Sequence, residues 1–220
     1  MTAQLIIGNK NYSSWSLRAW LVLAKLELPF EEVLVPLSVE TSKAALYRYS
    51  PSGRVPVYRD GDLTIWDTLA IAEYLAESHP QLWPQEAGQR AHARAVSAEM
   101  HAGFMALRQQ MPMNCRATGR QVPVPPALAT DIQRVQEIWT TCRRTSGDAG
   151  PWLFGDFSIA DAMYAPVVFR FNTYGEASGI DHSDAVTAYM AHVIADPHIQ
   201  QWYAAACQET AVIEEEEVGR

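Results

Sequence analysis

The pattern of apolar residues changes about one third of the way along this chain of 220 residues. Residues 1 to about 78 alternate short apolar runs with stretches of helical spacing, whereas residues after about 88 show helical spacing alone. Alternating strands and helices build a layered α/β unit, while helices alone pack as a bundle. We therefore predict an α/β domain over residues 1–79 and an all-helical domain over residues 88–220.

The first domain reads as two strands around a helix, then a second helix, a hairpin and a third helix. Residues 5–7 and 33–35 are the apolar runs that flank the first helix, and the pair Asp60-Gly61 marks the hairpin. A helical crossover pairs its strands in parallel, whereas a hairpin pairs them antiparallel. The order of elements therefore predicts a mixed sheet.

The second domain is expected to open on a long helix. Six apolar residues recur there at helical spacing: Ala93, Val96, Met100, Phe104, Leu107 and Met111. Further along, Ser158 with Asp161 three residues later predicts a capping box, and Asp196-Pro197 predicts another helix start. Pro166 lies inside the helical pattern that follows Ser158 and is expected to kink it.

Composition and charge exclude several classes of protein. A formal charge of −8 and a pI near 5.2 argue against a nucleic-acid-binding protein. The apolar runs are far shorter than the roughly 20 residues that span a bilayer, and the first residues lack a basic signal-peptide start, so we expect a cytoplasmic protein. Neither a disulfide framework nor a metal site is expected from the spacing of Cys115, Cys142 and Cys207, each predicted as a buried, reduced thiol. None of the six histidines is assigned a role.

A polar loop follows the first predicted strand and carries Ser13 and Ser14 into the first helix. The free N–H groups and partial positive charge of a helix start favour an anion, and a serine hydroxyl adds a directed donor. A thiol held there would ionise more easily than in water. The alternative is that either serine is only the N-cap of its helix.

Two further segments combine polar groups with helix or strand ends. Pro56 can follow a cis peptide bond that turns the Val55 N–H and C=O outward to pair with an extended peptide, although a trans proline is the commoner case. Thr68 can donate to a free α-carboxylate and Asp67 can meet an α-ammonium, although Asp67 alone would be an ordinary N-cap. Together with the serines, these segments predict a pocket for a short acidic peptide.

These segments resemble the glutathione-binding half of cytosolic glutathione transferases. The resemblance covers nearly the whole chain, in the right order, and continues at residues 155–161 in the helical half. It implies a thioredoxin-like N-terminal domain followed by an all-helical domain. Among serine-type bacterial members, the loop is most similar to the zeta class, whose S-S-C-S-x-R-type motif is matched except that Trp15 replaces the cysteine.

The resemblance also implies roles for individual residues and for glutathione as co-substrate, without a metal. Ser13, or alternatively Ser14, would contact the glutathione sulfur. The remaining glutathione contacts would be the glycyl carboxylate with Lys43, the cysteinyl backbone with Val55 and Pro56, and the γ-glutamyl end with Asp67 and Thr68.

The implied reaction is attack of the bound thiolate on a small hydrophobic electrophile held between the domains. Candidate residues for the electrophile pocket are Phe104, Met105, Met111, Met113 and Tyr164, each of which could equally be a core residue. A detoxifying transferase that forms a homodimer is the implied protein. The alternatives are a glutathione-dependent isomerase of the maleylacetoacetate isomerase type, a thiol-transfer enzyme, or a non-catalytic glutathione-binding module.

Overall fold

The first part of the chain folds around a four-stranded mixed sheet. The structure is a computed structural model that describes residues 2–146 and 149–220. The strands are β1 (Ala3–Ile7), β2 (Phe30–Leu34), β3 (Val57–Asp60) and β4 (Leu63–Trp66), in the order β2-β1-β3-β4. β1 pairs with β2 in parallel and with β3 antiparallel, and β3 pairs antiparallel with β4. The predicted mixed sheet is confirmed.

The second strand begins earlier than its apolar run. Phe30 pairs with Ala3 at the start of the parallel ladder, and the exposed Glu31 and Glu32 follow it within the strand. β2 is an edge strand with much of its surface in solvent, so charged residues are tolerated along it and the apolar pattern weakens. Sequence periodicity therefore detects only its last residues.

Three helices belong to this domain: α1 (Ser14–Lys25), α2 (Ser42–Tyr47) and α3 (Thr68–Ser78). α1 is buried along most of its length because it packs against α3 and also against the helical domain. The main apolar core therefore runs continuously from the sheet into the helices that follow.

The helical part of the chain begins after a short 3-10 turn at Pro80–Leu82. Its helices are α4 (Ala87–Ala102), α5 (Met105–Gln110), α6 (Pro126–Ser146), α7 (Ile159–Tyr174), α8 (Asp184–Ala195) and α9 (Pro197–Gln208). The predicted fold class, an α/β domain followed by a helical domain, is confirmed. Across residues 2–146 and 149–220, no helix has the length and apolar character needed to cross a membrane.

The prediction of a single long helix over residues 93–111 is wrong, because the helix is interrupted between α4 and α5. Gly103 is extended and Phe104 adopts the left-handed conformation, with φ of 61°. The guanidinium of Arg108 donates to the carbonyls of Gly103 and Met100, so a side chain satisfies acceptors that a continuous helix would have used. The six apolar residues that predict one helix are all buried, on both sides of the interruption. Their spacing alone therefore does not reveal it.

The predicted start of α7 is confirmed. The carboxylate of Asp161 accepts the N–H of Ser158 at 2.9 Å and the N–H of Leu153 at 2.9 Å. Burial raises the pKa of Asp161 to about 6, against the lowering effect of these hydrogen bonds. α7 continues through Pro166 to its end at Tyr174 and is buried over almost its whole length.

The three cysteines differ in exposure. Cys115 and Cys142 are buried and free, as expected, whereas Cys207 is free but exposed, so its predicted burial is wrong. Cys207 lies at the outer side of the amphipathic α9, whose inner side carries Trp202 and Ala206. In the part of the chain that the structure describes, no group of three or more His, Cys, Asp or Glu residues is arranged to hold a metal ion.

Candidate functional site

The serine loop ends on the first turn of α1. Ser13 is the N-cap residue, and its Oγ accepts the N–H of Ser16 at 3.3 Å. The Oγ atoms of Ser13 and Ser16 are 2.7 Å apart, and Ser16 Oγ in turn accepts the N–H of Gly8 at 3.0 Å. Ser14 is the first helical residue, and both Ser13 and Ser14 are buried. The N-cap interpretation of Ser13 is therefore correct, and it leaves room for a second role.

A cavity of about 400 Å³ opens beside these serines, and we call it the serine cavity. Its lining residues come from the α/β domain, the helical domain and the C-terminal segment: Tyr12, Ser13, Ser14, Trp15, Leu37, Leu46, Gly53, Arg54, Val55, Arg108, Arg170 and Glu216. The sheet domain and the helical domain thus each contribute a wall.

A second cavity of about 600 Å³ adjoins the start of α3, and we call it the Asp67 cavity. Its lining residues are Trp15, Ser52, Arg54, Val55, Pro56, Trp66, Asp67, Thr68 and His101. Trp15, Arg54 and Val55 border both cavities, so the two spaces are neighbours. The peptide bond between Val55 and Pro56 is cis, although trans is the commoner form before proline.

Asp67 is the N-cap of α3 and has a positive φ of 77°. Its Oδ1 accepts the N–H groups of Leu69 at 2.9 Å and Ala70 at 3.4 Å. Its Oδ2 lies 2.8 Å from Nε2 of His101, on α4. The side chain of Asp67 remains about 44% exposed, so a ligand can still reach the carboxylate.

The neighbouring Thr68 is buried and uses its hydroxyl internally. Its Oγ1 donates to the carbonyl of Trp15 at 3.0 Å, which ties the start of α3 to the start of α1. The Thr68 N–H is the first of α3 and has no acceptor within the helix. The backbone of Thr68, rather than its hydroxyl, is the donor available at this end of the Asp67 cavity.

The indole of Trp15 lies among cationic and aromatic side chains. The guanidinium carbons of Arg18 and Arg108 are 4.6 Å and 4.7 Å from the centre of its ring. The imidazole of His101 meets the ring edge-on, with centroids 5.3 Å apart. Such cation–π contacts stabilise the position of Trp15, which borders both cavities.

Other expected site residues lie elsewhere. Lys43 is exposed on α2, with its ammonium 5.9 Å from the ring of Tyr47, and it borders neither cavity. Met111, Met113 and Tyr164 are almost fully buried core residues, and the Tyr164 hydroxyl donates to Val96 O.

The remaining candidates for the electrophile pocket do not reach either cavity. Phe104 packs into the main core, and Met105 is exposed on α5. None of the five candidates borders the serine cavity or the Asp67 cavity. From α5, it is Arg108 that borders the serine cavity, where the sequence predicts apolar side chains.

Several residues of the site were not found from the sequence: His101, Arg108, Arg170 and Glu216. A histidine, two arginines and a glutamate on helices or in an acidic tail look like ordinary surface residues in a sequence. The one available signal is that Arg170 lies in a run of apolar residues, where a charged side chain needs a specific partner.

Comparison with known proteins assigns the chain to a family. The family models for the glutathione S-transferase N-terminal and C-terminal domains match residues 12–78 and 125–205. A probable maleylacetoacetate isomerase from Caenorhabditis elegans is 37% identical over 174 residues, which cover 74% of this chain and 76% of that protein. The glutathione S-transferase GstB of Escherichia coli strain K12 is 33% identical over 215 residues, which cover 94% of this chain and 95% of that one.

Solved structures agree at the level of the fold. A glutathione transferase homologue from Burkholderia gl BGR1, solved with bound glutathione, has a TM-score of 0.72 at 24% identity and covers 95% of this chain and 100% of its own. A family member from Pseudomonas fluorescens pf-5, with two glutathione molecules bound, has a TM-score of 0.69 at 21% identity, with 92% of each chain covered. With its matched domains, its relatives and its fold taken together, this chain belongs to the cytosolic glutathione transferase family.

Proposed function

We propose that the protein is a glutathione transferase that binds glutathione across the two adjoining cavities and directs its thiolate at an electrophile. The observation that carries this proposal is the shared border of the cavities at Trp15, Arg54 and Val55. It brings a serine at a helix start and an exposed aspartate at another helix start to the same cleft. An extended tripeptide that bridges them would present its sulfur to the serines and its α-amino group to the aspartate.

Ser13 is the proposed donor to the sulfur. Its Oγ already accepts the N–H of Ser16, and Ser16 Oγ accepts the N–H of Gly8 and can donate its own hydrogen to Ser13. In that arrangement the Ser13 hydroxyl hydrogen is free to point at a ligand. A chain of hydrogen bonds also polarises its last donor, which favours a thiolate over a thiol. Ser14 is the alternative donor because it borders the same cavity.

Asp67 is the proposed partner of the γ-glutamyl ammonium. Its side chain borders the Asp67 cavity and is about 44% exposed, so a cation could add a charge-assisted hydrogen bond beside the contact with His101. The free N–H of Thr68 at the start of α3 suits the adjacent α-carboxylate. The cysteinyl unit then lies near Val55, between the two cavities.

The test is the pH dependence of thiolate absorbance of bound glutathione. We expect the bound thiol to titrate about 2 pH units below the free thiol, which converts a few per cent of thiolate into a majority at neutral pH. Ser13→Ala is expected to raise this pKa while glutathione affinity, measured by calorimetry, changes little. The matched variant Ser14→Ala identifies the donor: if only this variant raises the pKa, Ser14 and not Ser13 holds the sulfur.

An isomerase is the second candidate function, because relatives from C. elegans and Rattus norvegicus carry the name maleylacetoacetate isomerase. Product analysis separates the two reactions, since conjugation consumes glutathione and isomerisation regenerates it. Turnover of an activated aromatic halide supports the transferase. Binding of glutathione without turnover of any electrophile would support a binding module instead.

Two other expectations remain predictions. A homodimer is expected, and sedimentation of the purified protein measures its mass against the 24.5 kDa chain. A cytoplasmic location and a role in detoxification are expected from the family, and fractionation of cells tests the first.

A further inference from the structure

The serine cavity is lined by an excess of positive charge. Three arginines border it, Arg54, Arg108 and Arg170, and Glu216 is the one carboxylate among its lining residues. Tyr12 also borders it, but its hydroxyl is occupied by Glu217 and Arg116. This lining differs from the apolar pocket that a purely hydrophobic electrophile would need.

Arg170 is a buried arginine with unused donors. Its side chain projects from α7, and its Nη1 donates to the carbonyls of Met111 and Arg108. Among the residues that the structure describes, Nε and Nη2 donate to none and Arg170 forms no ion pair. The charge of Glu216 acts on Arg170, but no hydrogen bond or ion pair joins the two residues in the described chain. A buried guanidinium that no carboxylate contacts directly is costly unless an anion reaches it.

Arg108, whose carbonyl accepts a hydrogen bond from Arg170, likewise lacks a carboxylate partner in the described chain. Its guanidinium donates to the carbonyls of Gly103 and Met100 and stacks on Trp15, and within the described chain it has no ion pair either. Burial and the positive charge of Arg108 lower the pKa of Arg170 to about 10. Arg18 contacts the same Trp15 ring. Burial, followed by the charges of Arg108 and Arg170, lowers the pKa of Arg18 as well. The three guanidiniums therefore repel one another, and an anion in the cavity would relieve that repulsion.

We propose that Arg108 and Arg170 form a carboxylate subsite in the serine cavity, so that the second substrate is an electrophile that carries a carboxylate. This inference deepens the proposed transferase function and rests on it. Two neighbouring guanidiniums offer planar donor forks that match the geometry of a carboxylate. Arg54 is left out of the subsite because it also borders the Asp67 cavity, where the γ-glutamyl carboxylate of glutathione is expected.

Glu216 is expected to weaken the binding of such an anion. It comes from the acidic C-terminal segment, and burial raises its pKa while the charge of Arg170 lowers it. A carboxylate ligand would share the arginines with Glu216 or displace it from them. Removal of the Glu216 charge should therefore strengthen binding of an acidic ligand.

The experiment compares two nearly isosteric probes, 3,5-dinitrobenzoate and the neutral 3,5-dinitrobenzamide, by calorimetry on protein titrated beforehand with glutathione. We expect the acid to bind about tenfold more tightly than the amide. Arg108→Gln and Arg170→Gln should each remove most of this preference without weakening the amide, and Arg170→Lys should restore part of it. Glu216→Gln should increase it. The control is Arg94→Gln, an exposed arginine paired with Glu73, which should leave it unchanged.

The outcomes separate the subsite from the function on which it rests. Equal affinities for acid and amide, or an acid affinity unchanged in both glutamine variants, overturn the subsite while glutathione binding leaves the transferase proposal standing. A parallel loss of glutathione affinity in Arg108→Gln also overturns it, because the arginines would then hold a carboxylate of glutathione itself. A wild-type protein that takes up no glutathione overturns the proposed function. If Arg170→Gln does not fold, the half-buried Arg108 still decides the question.

Discussion

The Nε2 atom of His101 and the Oδ2 atom of Asp67 lie 2.8 Å apart, so a side chain of α4 holds the carboxylate that begins α3. Asp67 thereby has two structural partners, its own helix through Oδ1 and the helical domain through Oδ2. The contact crosses from one domain to the other at the edge of the Asp67 cavity. A residue that seemed to be a local helix cap is thus also the point where the second domain reaches the proposed glutathione site.

Replacement of Asp67 by asparagine should separate its two roles. Asparagine is as good an N-cap as aspartate and tolerates the positive φ of 77°, so the free energy of unfolding should change by less than about 0.5 kcal/mol. The lost charge should raise the dissociation constant for glutathione about tenfold or more, because the γ-glutamyl ammonium loses its partner. Calorimetry and urea unfolding measure the two effects. Asp62→Asn, at the exposed hairpin, is the control, and an unchanged affinity in Asp67→Asn would remove Asp67 from the site.

Replacement of His101 should affect glutathione binding through Asp67. His101→Ala removes the hydrogen bond to Oδ2 and the edge contact with Trp15, so the carboxylate gains freedom and we expect glutathione to bind a few-fold more weakly. His101→Gln can still donate to the carboxylate and should stay within about twofold of the wild type. If Asp67→Asn and the double variant with His101→Ala bind equally, the histidine acts through Asp67; additive losses would mean that it contacts the ligand itself.

The helix starts of the site were predictable because their causes are local. Ser13 caps a backbone N–H three residues ahead, and Asp67 caps those two and three residues ahead, so both signals lie within one turn of sequence. The mixed sheet followed in the same way from a crossover and an Asp-Gly hairpin. Each of these features depends on residue types that are neighbours along the chain.

The walls contributed by the helical domain were not predictable, because they depend on packing between distant segments. The helix predicted over residues 93–111 is interrupted at Gly103 and Phe104, and Arg108 of the helix that follows borders the serine cavity. Arg170 reaches the same cavity from α7, and its carbonyl contacts lie 59 and 62 residues away in the chain. The spacing of apolar residues within one helix does not predict which side chains of another helix will contact it.

The three cysteines should differ sharply in their reaction with iodoacetamide. Burial raises the pKa of Cys142 to about 12 and that of Cys115 further still, so neither provides appreciable thiolate at neutral pH. Cys207 is exposed and should be the single site of alkylation in the native protein. Intact-mass measurement should find one adduct, and none in Cys207→Ser. Rapid modification of a second thiol would contradict the packing around Cys115 or Cys142.

The C-terminal segment that carries Glu216 is held by the neighbouring Glu217. The Glu217 side chain, only 5% exposed, accepts hydrogen bonds from Tyr12 at 2.6 Å and Asn114 at 2.9 Å. It also pairs with Arg120 at 2.8 Å. Burial disfavours its ionisation, but these donors together with Arg220 outweigh burial and lower the pKa of Glu217 to about 2. A single carboxylate thus ties the chain terminus to the serine loop and to the helical domain.

Stability should therefore fall in acid, and Glu217→Gln should reduce that fall. Because the pKa in the folded state lies below the usual 4.5, the ionised carboxylate contributes stability that is present above pH 4.5 and lost as the pH falls towards 2. Between pH 5 and pH 3 this single group should account for a loss of about 2 kcal/mol in the free energy of unfolding. Urea titrations of the wild type and Glu217→Gln measure the difference, with the exposed Glu215→Gln as control. Parallel pH profiles for wild type and Glu217→Gln would show that the carboxylate titrates alike in the folded and unfolded chain.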